Sequence, residues 1–130
     1  MTDTLHVPVS PGEVLDKISI LEIKRERIDD AAKRANVERE LDLLNATWRD
    51  AGLDDGGLDT LRVALREVNE RLWDIEDAIR DCERDGDFGD RFVELARAVY
   101  RTNDRRAAIK KDINERLGSE IVEEKSYSPY

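Results

Sequence analysis

Leu61, Leu65, Val68, Leu72, Ile75, Ile79 and Cys82 recur at alternating intervals of four and three residues. That spacing keeps one apolar stripe on one side of a long helix for three heptads. A second helix continues the spacing through Phe88, Phe92, Leu95 and Val99, loses it at Thr102 and Arg106, and regains it at Ile109 and Ile113. Only the short run DGDFG at 85 to 89 separates the two, so they are expected to pack antiparallel, and Gly118 is placed to stop the second. Upstream, Ser10-Pro11-Gly12-Glu13 has a capping serine, proline at the first helical position and a glutamate able to reach back to the cap. The helix that starts there carries Val14, Leu15, Ile18, Ile20, Leu21, Ile23 and Ile28 around much of its axis, which suits a central position under other helices.

Between these lies a fourth pattern, Val37, Leu41, Leu44 and Trp48. It is two residues out of step with the stripe of the first helix. A slip of that size rotates the apolar face by roughly 200° at 100° per residue, so the chain is expected to break near Asp29, with Asp29 or Asp30 as the next cap. Gly52 to Gly57, GLDDGG, reads as a loop. Leu5, Val7 and Val9 alternate, and Glu120 to Tyr130 has an extended composition; both ends are expected to lie on the helices, the tail through Ile121, Val122 and Tyr127, with Lys125 near two acids. The fold class is therefore all-α: an antiparallel bundle of about four helices in a single domain over 1–130, with extended segments at 1–10 and 119–130.

Composition qualifies this picture. With 41% charged, 5% aromatic and 39% hydrophobic residues, the chain can fill narrow seams but not a thick core, and a homo-oligomer, most simply a dimer, is expected to complete them. The formal net charge of −9 argues against nucleic acid and anionic membrane as partners. Neither an 18-residue apolar run nor a basic leader with an apolar core occurs, so a cytoplasmic location is expected. Cys82 is the single cysteine and falls on an apolar stripe, as a buried hydrophobe would. His6, the single histidine, lies outside the helices, so neither a histidine triad nor a histidine-rich metal site is expected, and no cofactor is implied. GLDDGG matches no phosphate-loop or dinucleotide pattern.

Charge is unevenly spread. Phe88 to Gly118 holds eight basic against five acidic side chains, a local +3, while the rest of the chain carries −12. Within it, Tyr100, Asn103, Ala107, Lys110 and Asn114 share one helix face, and Arg106 falls on a lost apolar position. On the preceding helix Asn69, Trp73, Glu76 and Arg80 form a matching stripe. Packed together, these flanks would form a pocket for a small anion: arginine supplies paired hydrogen bonds, lysine a point charge, asparagine donor and acceptor, and an aromatic ring a stacking surface. Read structurally instead, Glu76 pairs with Arg80 or Lys110, Asn69 and Asn114 fix register, and Trp73 is core. The constellation as a whole is read here as a site, for a nucleotide, a nucleotide sugar or another phosphorylated metabolite.

Lys17, Lys24 and Arg27 share a face of the first helix, where a solvated basic edge paired with Asp16 and Glu26 is the expected arrangement. Asp54-Asp55 and Glu123-Glu124 are expected to be solvated surface. Glu76-Asp77 is the one candidate for carboxylate catalysis, weakened because adjacent helical residues diverge by about 100°.

The segments PVSPGEVLDKISILEIKRERI, ANVEREL, NERLWDIEDAIR, FVELARAVYRTNDRRAAIKKDIN and GSEIVEEKSY together resemble an uncharacterised family of small proteins of bacteria and their viruses, classed as a domain of unknown function. The resemblance covers nearly the whole chain and implies a mostly helical single domain with no established catalytic residue. Some relatives accompany genes for glycosyl transfer and surface polysaccharide assembly, which implies an alternative role as an accessory or scaffold for a glycosyltransferase. Relatives often read Asp-Pro-Glu-Lys where this chain has Asp30-Ala31-Ala32-Lys33, leaving the break before the second helix less strongly signalled here.

Overall fold

The computed structural model describes residues 3–53 and 56–130. Asp54 and Asp55, expected as solvated surface, lie outside the described residues. Four helices are present and no strand among the described residues: α1 Pro11–Arg27, α2 Ala31–Asp50, α3 Asp59–Asp85 and α4 Asp90–Leu117.

The capping residues set most of these limits. Ser10 Oγ accepts the Glu13 N–H at 3.2 Å and Asp30 Oδ1 accepts the Lys33 N–H at 3.0 Å, each satisfying a donor that the first turn of a helix leaves open. The break between α1 and α2 is real despite the missing proline: Ile28 turns to ψ 122° and ends the first helix. Gly86 and Gly118 close α3 and α4 at φ 68° and 66°, the left-handed region in which a side chain would be strained. Two expectations shift. Glu13 turns away from the cap toward α4, and Phe88 lies in the connection before α4, half exposed, with its ring edge-on to Phe92 at 5.4 Å.

α1 is the centre of the molecule. It packs against α2, α3 and α4, whereas α2 packs along α1 alone and α3 and α4 pair with each other. Leu15, Ile18 and Leu21 of α1 join Val37 and Leu41 of α2, Leu65 and Val68 of α3, and Ile109 and Ile113 of α4 in one core, which Leu58 caps from the loop before α3. At the surface Arg66 of α3 pairs with Glu22 and Glu26 of α1 and with Glu70, tying α1 to α3. The N-terminal segment is extended, but Leu5 and Val7 face outward rather than lying on the helices as expected.

Candidate functional site

One face of α1 interrupts its apolar surface. Gly12, Asp16 and Ser19 follow each other at four and three residues, so they form a buried polar stripe between Val14, Leu15 and Ile18. The stripe faces α3 and α4. Gly12 N–H donates to Asn114 Oδ1 at 2.7 Å; Asn69 Nδ2 donates to Asp16 Oδ1 at 2.8 Å and to Ser19 Oγ at 2.7 Å; and Arg106 Nη1 donates to Asn69 Oδ1 at 3.3 Å. Ser19 Oγ in turn donates to the Asp16 carbonyl at 2.8 Å. No buried side-chain polar atom among the described residues is left without a partner, which is what makes such a seam tolerable in a protein interior.

Lys110 is the charged centre of this seam. It is 8% exposed, and its Nζ lies 2.6 Å from Glu13 Oε2, 3.5 Å from Asp16 Oδ2 and 3.3 Å from Glu123 Oε2. Burial alone would lower its pKa, but the Glu13 hydrogen bond and the charges of Asp16, Glu13 and Glu123 outweigh that and hold it above its ordinary 10.5. The hydrogen bond from Lys110, with the charges of Lys110, Lys17 and Arg106 added, overcomes burial and holds the Glu13 carboxyl below its ordinary 4.5. The signs fix the pH dependence. A depressed carboxyl stabilises the fold above its unfolded pKa, and that contribution is lost as pH falls through the folded value; a raised lysine stabilises below 10.5 and loses its contribution above. Stability is therefore expected to fall on acidification below about pH 4.5, and Glu13→Gln to flatten that acid limb, as read by urea unfolding midpoints across pH 3 to 7. An acid limb of equal slope in the variant would show that the Glu13–Lys110 pair is not its source.

Glu123 reaches Lys110 because the C-terminal tail folds back along α4. Between them lies a groove of about 530 Å³ lined by Ala107, Lys110, Lys111, Asn114 and Glu115 on one side and Val122, Glu123, Glu124 and Lys125 on the other. Farther along, the Tyr130 hydroxyl donates to Asp104 and its ring meets Tyr100 at 5.0 Å and 66°. The anchors are thus Glu123 and Tyr130, and the expectation that Ile121, Val122 and Tyr127 would hold the tail is not met: all three are exposed. Glu123, expected as solvated surface with Glu124, is exposed like it, and its carboxylate also reaches the buried Lys110 ammonium.

The expected site residues divide into two groups. Asn69, Arg106, Lys110 and Asn114 converge on α1. Trp73, Glu76 and Arg80 do not join them: the Arg27 guanidinium lies 5.7 Å over the Trp73 ring while pairing with Asp74 at 2.6 Å, and Glu76 pairs with Arg80 at 3.3 Å on the exposed face of α3. The reason is register. Asn69 stands level with Arg106, so residues 73 to 80 lie one to three turns nearer the 86–89 connection. Tyr100 is exposed under Tyr130, and Asn103 is half-buried on α4. Of the basic edge on α1, Lys17 is exposed and lies 3.9 Å from Glu13, while Asp16, expected as its solvated partner, is 5% exposed and turned inward. Glu13, Asp16 and Ser19 are the site residues that sequence reasoning did not select; the polar stripe through the most apolar helix was the available signal.

Among the described residues no group of three His, Cys, Asp or Glu is placed to hold a metal ion, and no helix is long and apolar enough to cross a membrane. The fold and the seam define a class: an all-α protein of four packed helices, whose central helix is docked by a buried charged cluster. The chain belongs to the family of unknown function DUF6165, whose sequence model matches residues 5–130. No characterised protein and no solved structure matches it.

Proposed function

We propose that the protein is a non-catalytic binding protein that senses or sequesters a small anionic ligand, such as a nucleotide, a nucleotide sugar or another phosphorylated metabolite, in the groove between α4 and the tail. The observation that carries this reading is the Lys110–Glu123 pair. Glu13 and Asp16 belong to the helical core of the seam, whereas Glu123 comes from the tail, has a half-exposed side chain and fronts the groove. An incoming phosphate or carboxylate can replace it at Lys110 without stranding a buried charge, and Lys111, Lys125 and the Asn114 amide offer further donors. The volume of about 530 Å³ falls in the range of small-molecule sites.

A panel of nucleotides, nucleotide sugars and sugar phosphates tests the proposal. The bound anion should add about 2.7 kcal/mol at 100 times Kd, a shift of several degrees in the melt. Glu123→Gln removes the competing carboxylate and should tighten binding up to about fivefold, the scale of a partly exposed ion pair. A panel in which no anion moves the melt removes the proposal. Native mass spectrometry on the same samples counts subunits and retained ligand together, and the reading includes self-association as a dimer. A second reading, an accessory scaffold for a glycosyltransferase, draws on Phe88 and Val93, exposed apolar side chains at the α3–α4 connection and the first turn of α4. Its mark in the same spectrum is a retained protein partner instead of a small anion.

A further inference from the structure

We infer that the cleft between α3 and α4 lined by Arg71, Arg101 and Arg105 is a second anion site, separate from the tail groove, that takes a pyrophosphate group, free or carried on a small metabolite.

The cleft has a volume of about 430 Å³, and Ala64, Glu67, Val68 and Thr102 complete its lining. Its arginines come from both helices. Arg101 and Arg105 are one turn apart and so share a face of α4; the Asn69–Arg106 hydrogen bond sets the level of α3, which puts Arg71 opposite that turn. All three side chains are exposed, while Val68 and Thr102 beneath them are buried, so the guanidinium groups stand over a packed floor.

Their gathering at one cleft is what points to a ligand. Among the described residues Arg27, Arg66, Arg80, Arg84 and Arg97 have a carboxylate partner and the other arginines have none, so lacking one does not by itself set Arg71, Arg101 and Arg105 apart. What does is that three such arginines, from two helices, line one cleft in a chain with 31 acidic against 22 basic side chains. Glu67 stands one turn before Arg71, the order that favours an ion pair along a helix, yet no pair forms. Asp104, between the two arginines of α4, accepts from Tyr130 instead. The lining thus carries three positive charges against one negative one. Three planar forks match the oxygen pairs of two linked phosphates better than those of a single one, and two packed helices fix the backbone positions from which they reach over the cleft. No aromatic side chain lines the cleft, so recognition rests on the phosphates and not on a base.

Isothermal titration of the full chain with inorganic pyrophosphate, orthophosphate and ADP at low salt tests this. One pyrophosphate per chain is expected, with orthophosphate at least about tenfold weaker, ADP close to pyrophosphate, and the affinity falling as salt is raised. Arg71→Ala, Arg101→Ala and Arg105→Ala should each weaken pyrophosphate about ten- to a hundredfold while leaving the melt of the free protein unchanged or higher, since exposed like charges are being removed. The Lys111→Ala, Lys125→Ala double variant should leave pyrophosphate affinity within about twofold. Three results overturn the inference: no binding up to about 10 mM pyrophosphate, ADP binding without pyrophosphate binding, or affinity lost in the lysine variant and kept in the arginine variants. The last would place the anion in the tail groove and leave the proposed function standing; loss in the arginine variants alone would leave that function to its own test.

Discussion

Lys110→Ala should lower the unfolding free energy by about 3 to 5 kcal/mol, the cost of leaving one member of a buried ion pair without its partner. The Lys110 and Asp16 side chains are 10% and 7% exposed, so water cannot take over when the ammonium is removed. Asp16 keeps the Asn69 amide, but a neutral donor does not offset a buried charge. Glu13 and Glu123 lose the same partner and are open enough to turn outward, which is why the cost is assigned to Asp16. Urea unfolding at pH 7 reads the effect. A loss below about 1 kcal/mol would mean that the seam is hydrated and that Lys110 is a surface lysine in energetic terms. The same reasoning decides which variants can test ligand binding: Lys110 is too deeply tied to the fold for its removal to report on a ligand alone, so Glu123, Lys111 and Lys125 are the informative positions.

The sequence carried the helices well because each is marked locally. The four-three spacing of α3, the Ser10 and Asp30 caps, the two-residue slip at Asp29 and the glycines at 86 and 118 each act within a turn or two of where they stand. The site was legible by half. Periodicity shows which residues share a face, and it correctly grouped Lys110 with Asn114 on α4, whereas of the α3 stripe only Asn69 reaches the seam. It does not show which helix that face meets. The expected pocket of α3 against α4 left their polar flanks open to a ligand; the two helices do pair, but α1 packs over both and fills the flanks with Glu13, Asp16 and Ser19. Asp16 was misplaced for a related reason. Sequence adjacency joined it to Lys17, although neighbours on a helix diverge by about 100°, so one can be buried while the other is solvated. Glu123 could not be placed by any periodic signal, since an extended tail returning along a helix has no fixed register with it.

Gly12→Ala should be the second severe substitution, costing about 2 to 4 kcal/mol, and it should act through geometry, not charge. An added Cβ would stand 2.7 Å from the Lys110 carbonyl oxygen and 2.9 Å from Asn114 Oδ1. The first contact is with helical backbone, which cannot swing aside, so α1 must move away from α4. That movement stretches the 2.7 Å hydrogen bond from Gly12 N–H to Asn114 and draws Glu13, the next residue, away from Lys110. Helix propensity runs the other way: alanine in the first turn favours helix by up to about 1 kcal/mol over glycine, so a net loss can come only from the crowded contact. Asn114→Ala gives the control, because it removes the same hydrogen bond and opens space where Gly12→Ala closes it. If close approach is the function of Gly12, the double variant should recover part of the loss, leaving the backbone clash. Single and double variants that add without coupling would show that α1 and α4 are not in the close contact on which the Lys110 cluster depends.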